Sequence, residues 1–113
     1  MRYLLLLYGA PVRPEDVSPA VFEAHRDFSR ELTEAGALID SLPLAPPEAA
    51  RTVRLKRRER LVVDGPFAET KEVLGGYYLI EAESLDAAVE WAKRLRHDGE
   101  GSIEVRPVLS IPG

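Results

Sequence analysis

Histidine is the side chain whose charge changes nearest neutral pH, so the two histidines of this sequence are the first candidates for proton transfer. His25 falls in a run where Val21, Ala24, His25, Phe28, Leu32 and Ala35 recur at helical spacing, with Glu23, Arg26, Asp27, Arg30 and Glu34 opposite. On such a stripe a histidine is a general base if it opens onto a cavity, and a hydrogen-bonded core residue if it does not. The core reading ranks first. His97 stands in the polar run Arg96-His97-Asp98-Gly99, the setting of a solvated loop residue. Two isolated histidines without ligand spacing, in a chain without cysteine, do not make a metal site, and no cofactor is expected.

The second candidate is the stretch Asp64-Gly65-Pro66-Phe67-Ala68-Glu69-Thr70-Lys71-Glu72. Read structurally, Asp64 accepts backbone amides of a turn shaped by Gly65-Pro66, and Phe67 anchors that turn to the core. Read functionally, Asp64, Glu69 and Lys71 line the mouth of a pocket, because loops on rigid scaffolds carry sites. The sequence leaves both readings open. A third candidate is Arg106, which alternates with Ile103 and Val105 and shares its side of a strand with Glu104. There it pairs with a carboxylate, either Glu104 across a twofold or Asp40, or it binds an anionic ligand. The ion pair is the safer expectation.

These residues need elements to hold them. The 113 residues are one domain's worth, and 45% apolar with 30% charged is an ordinary globular balance. A net charge of −4 argues against nonspecific nucleic-acid binding. The basic run Arg54-Leu55-Lys56-Arg57-Arg58-Glu59-Arg60 reads as a solvated hairpin tip. The apolar run at residues 3–8 is too short for a signal peptide or a membrane span and reads as a buried strand. A cytoplasmic location is expected.

Residues 2–8 form a strand with Leu4 and Leu6 on one face and Tyr3, Leu5 and Leu7 on the other. Ser18 caps a helix that opens with Pro19 and closes at Gly36. Residues 37–42 read as a second strand. Residues 52–55 and 61–63 form a hairpin around the tip at 56–59, residues 77–80 another strand, and 102–108 the last. Between the last two, Ser84 caps a helix whose buried stripe is Leu85, Ala88, Val89 and Ala92. This order predicts an α+β fold, the ferredoxin-like split βαβ with an inserted β-hairpin, spanning residues 1–113 as one domain. Both helices then cover one face of an antiparallel sheet. A first strand apolar on both faces implies that the other face is covered too, most simply by a second copy.

The nine-residue run from Asp64, then Gly75-Gly76-Tyr77-Tyr78-Leu79-Ile80 and Gly101-Ser102-Ile103-Glu104-Val105-Arg106-Pro107, resemble the DGPF type of the YCII-related family. The resemblance implies a dimeric α+β barrel. It also implies kinship with small barrel enzymes such as muconolactone isomerase, and genes often found beside extracytoplasmic-function sigma factors. In the YCII-related proteins proper, a first-helix histidine and the aspartate of a later Asp-Pro element are the proposed acid–base pair. His25 matches the histidine; the Asp-Pro element is missing, Asp98 being followed by Gly99.

The reading that results is a homodimer with a small organic molecule in a pocket between sheet and loop, and room for acid–base chemistry without a cofactor. His25 and Asp64 are the catalytic candidates; Glu69, Lys71 and Arg106 are the binding candidates. The alternative is a non-catalytic accessory protein tied to a sigma-factor regulator. Neither reading involves nucleic acid or membrane, and the residues leave open whether the chain is an enzyme.

Overall fold

A computed structural model describes residues 1–68, 70–96 and 99–111. Eight elements follow one another: β1 (Arg2–Gly9), α1 (Pro19–Glu34), β2 (Leu38–Pro43), β3 (Arg51–Lys56), β4 (Glu59–Asp64), β5 (Val73–Glu81), α2 (Leu85–Ala92) and β6 (Gly101–Pro107). Four strands form an antiparallel sheet in the order β2-β5-β1-β6, while among the described residues β3 and β4 pair only with each other. This is the α+β, ferredoxin-like order expected from the sequence, with the hairpin inserted between β2 and β5.

The helix ends explain why the chain turns where it does. Gly36, at φ 70°, adopts the left-handed conformation that other residues avoid. It lets its own amide reach the Thr33 carbonyl at 3.0 Å and the Ala37 amide reach that of Leu32 at 2.8 Å. That is a Schellman closure, and it delivers the buried Ala37 to the start of β2. At the other helix, the Ser84 hydroxyl accepts the Ala87 amide at 3.1 Å. Ser18 holds the corresponding position before α1, but its side chain makes no capping bond. Pro19 at the first helical position already supplies the backbone angle that starts a helix.

Strand alternation sorts the residues as the sequence predicts. Tyr3 and Leu5 face the helices and are buried with Phe28, Leu32, Tyr78, Ile80, Ala88 and Ala92. Phe28 meets Tyr78 edge-to-face with ring centres 4.9 Å apart, an arrangement worth about 1 kcal/mol beyond the area it buries. Ala35, expected on the buried stripe, is exposed, because the helix closes beneath it. β5 is longer than the residues 77–80 expected, since it runs through Gly75 and Gly76. A Cβ on Gly76 would stand 2.8 Å from the Leu42 carbonyl oxygen, so the glycine lets β2 approach rather than ending the strand.

The molecule is a plate measuring 45 × 43 × 18 Å. Its short dimension is that of one sheet and one layer of helix. Among the described residues no helix is long and apolar enough to cross a membrane.

Candidate functional site

The sequence-derived candidates occupy different parts of the plate. His25 lies on α1 at the helix side of the sheet, half-buried, with Nδ1 2.9 Å from the Tyr78 hydroxyl and its ring stacked parallel to that of Tyr78. The same hydroxyl lies 3.4 Å from the His25 carbonyl oxygen, to which it can donate. Burial pushes the Tyr78 phenol up to about 12, so it stays neutral throughout the physiological range.

Asp64 ends β4, and its side chain is 91% exposed. It does not gather turn amides as expected: its carboxylate lies 3.4 Å from the Arg51 Nε on the paired strand. The turn is held instead by Gly65, whose amide donates to the Ala50 carbonyl at 2.7 Å and whose carbonyl accepts the Thr52 hydroxyl at 2.8 Å. Phe67 does not anchor the turn to the core either, being 80% exposed. The reason is shared: β3 and β4 stand outside the main sheet, so the turn that follows them has no core beneath it. Lys71 is exposed in the segment leading to β5. Glu69, His97 and Asp98 lie outside the described residues.

Arg106 stands on the face of the sheet away from the helices. Its guanidinium contacts the Glu104 carboxylate two residues before it on the same strand, not Asp40. Glu104 Oε2 is withdrawn from solvent there. Strand registers place the rest of this face. Asp40, Leu79, Leu4 and Arg106 form one row across the four strands, and Leu42, Tyr77, Leu6 and Glu104 form the next. Strands about 4.8 Å apart make each row roughly 14 Å long. At one edge the Tyr77 hydroxyl donates to Asp40 Oδ2 at 2.8 Å, and that bond raises the Tyr77 phenol above its ordinary value. At the end of the face the Ser102 hydroxyl donates to Glu72 at 2.9 Å.

The open face is therefore an apolar centre of Leu4, Leu6 and Leu79 with polar pairs around it. Tyr77, Glu72 and Ser102 were not candidates from sequence, since each reads as an ordinary strand or loop residue until register sets it beside a partner. Two surface grooves, about 420 Å³ beside Met1, Glu81 and Trp91 and about 430 Å³ beside Arg13, Pro46 and Glu48, include none of the sequence candidates.

Residues 1–112 match the family model of the YCII-related domain. The chain belongs to the YCII-related domain family. An uncharacterized protein of Rhizobium meliloti (strain 1021) is 48% identical to this YCII-related chain, across 78% of the chain and 76% of that relative. The match runs through both layers of the plate, so the open face is part of the YCII-related domain itself.

Proposed function

We propose that this YCII-related protein works as a homodimer in which two open sheet faces close on each other and hold a small organic molecule between them. One observation carries the reading: the chain exposes far more surface than its mass should. A compact 12.6 kDa monomer would expose about 6,200 Å², whereas this chain exposes 8822 Å². The excess, roughly 2,600 Å² on one chain, comes from surface the fold leaves uncovered, the open sheet face and the separate β3–β4 hairpin among it, and twice that is on the scale of a large obligate interface. Half-buried Leu4, Leu6 and Leu79 supply the apolar centre such an interface needs.

The polar pairs give the ligand its chemistry. Around the apolar centre stand the carboxylates of Asp40, Glu72, Glu81 and Glu104 and the guanidiniums of Arg2 and Arg106, of which Arg106 already contacts Glu104 and Glu81 holds the N-terminal amine. Carboxylates outnumber cations on this face, which favours a neutral or cationic ligand over an anion. His25 stands behind the sheet with Tyr78 and serves packing between helix and sheet. Proton transfer to a ligand on the open face falls to Glu104 and Asp40, and needs no cofactor.

Sedimentation at micromolar concentration should give twice the chain mass, and Leu6→Arg should give a folded monomer. A well-folded wild-type monomer, or a Leu6→Arg dimer, would overturn the reading. A thermal-shift screen should find neutral or cationic organic compounds that stabilise the wild type but not Glu104→Gln. A dimer that answers to none of them would point to the non-catalytic, sigma-factor-linked alternative instead.

A further inference from the structure

Closing the sheet faces leaves the hairpin unexplained. β3 and β4 form a two-stranded sheet of their own, six residues a strand and about 20 Å long, and a lone hairpin is marginal in water. Both of its faces are open. Register puts Val53, Leu55 and Val62 on one face, 54%, 72% and 59% exposed. Leu61 and Val63 lie on the other, 57% and 41% exposed. A plate only 18 Å thick leaves no room for the hairpin to fold over its own sheet, so it extends in the plane as an arm. The radius of gyration, 15.9 Å, exceeds the roughly 13 Å of a compact chain of this length accordingly.

The arm also differs in charge from the rest. Arg51–Asp64 carry six basic and two acidic residues, a net of +4, while the whole chain carries −4, leaving −8 elsewhere. An apolar stripe set among basic side chains, on a chain otherwise acidic, complements a second copy of that chain.

We propose that each arm lies on the other protomer, with Val53, Leu55 and Val62 against its surface and the arm's arginines against its carboxylates. This rests on the homodimer proposed above and says how the two copies are clasped. It also makes the arm's order conditional: the hairpin is firm in the dimer and frays in the monomer.

The test compares amide exchange in the arm between the wild-type dimer and the Leu6→Arg monomer. At least tenfold slower exchange in the dimer is expected. Leu55→Asp, at a position with no core to disrupt, should weaken dimerisation tenfold or more. Arg54→Glu combined with Lys56→Glu should weaken it at low salt and less at high salt. A dimer whose arm exchanges as freely as the monomer's, or whose dissociation constant ignores Leu55→Asp, would overturn the clasp and leave the sheet-face dimer standing. A wild-type chain that never dimerises would overturn both. An arm that gains protection only on adding duplex DNA or anionic vesicles would belong to those partners and would also overturn the clasp.

Discussion

Burial acts strongly on Tyr78. Its phenol is raised from 10.0 to about 12 because the charged form is desolvated between helix and sheet. The unfolded chain gives up this proton near pH 10 and the folded chain holds it to about 12, so alkali favours unfolding across that window. The contribution is fully present below pH 10 and is lost as pH rises towards 12, on the order of 2 kcal/mol. Denaturant titrations of wild type and Tyr78→Phe from pH 9 to 12 should show the wild type losing this increment and the variant lacking it. Parallel curves would refute the assignment. Spacing showed which face of its helix His25 occupies, but its partner Tyr78 lies 53 residues away, and a periodicity names a face rather than a neighbour. The sequence likewise marks a turn at Asp64, but the ion pair with Arg51 depends on a hairpin register that no local signal records.

Two serines stand at the same position before their helices and do different work. Ser84 accepts an amide at the start of α2, a helix of only eight residues with few other bonds to hold its first turn. Ser18 accepts none, and Pro19 starts α1 by fixing its angle. Ser84→Ala should therefore cost about 1 kcal/mol in unfolding free energy, and Ser18→Ala close to nothing. Equal losses would mean that capping is not what separates them. The elements themselves were largely legible, because stripes and alternation follow from burial on one side. Their ends were less so. Gly75 and Gly76 read as the lead-in to a strand, yet β5 passes through them, and Gly76 provides the room that the neighbouring strand needs. The hairpin tip is tighter than residues 56–59 suggest: Lys56 pairs with Glu59, and Arg57 takes φ 53° in place of the usual glycine or asparagine.

For the molecule as a whole, the strand order followed from the element order, and the expectation of a cover rests on a first strand apolar on both sides. The plate shape was out of reach of the sequence. Nothing in the spacing of the hairpin says whether it extends the sheet or leaves it, because its alternation serves either arrangement equally well. Once it leaves the sheet, it cannot contribute to the core, and the exposed Phe67 and Asp64 follow from that single fact. The open-face cluster was half visible: Glu104 and Arg106 could be placed together by alternation, whereas Tyr77 with Asp40 and Ser102 with Glu72 required the register.

β1 sits at the centre of the sheet, paired with β5 on one side and β6 on the other, so that Tyr3 stands opposite both Ile80 and Pro107. Of these six strands the first to be made is therefore the last to be flanked on both sides. Its four consecutive leucines wait with both edges unpaired until β5 is made and with one edge unpaired until β6 follows, a prolonged exposure of the sort that invites strand-to-strand aggregation. Such distant pairings also make folding slow for the chain's size. A nascent chain stalled before Gly101 should remain protease-sensitive and chaperone-bound, and release of β6 should close the sheet in one late, cooperative step. In this architecture the earliest strand completes its pairing last, and the burden of that delay falls on the most apolar segment of the sequence.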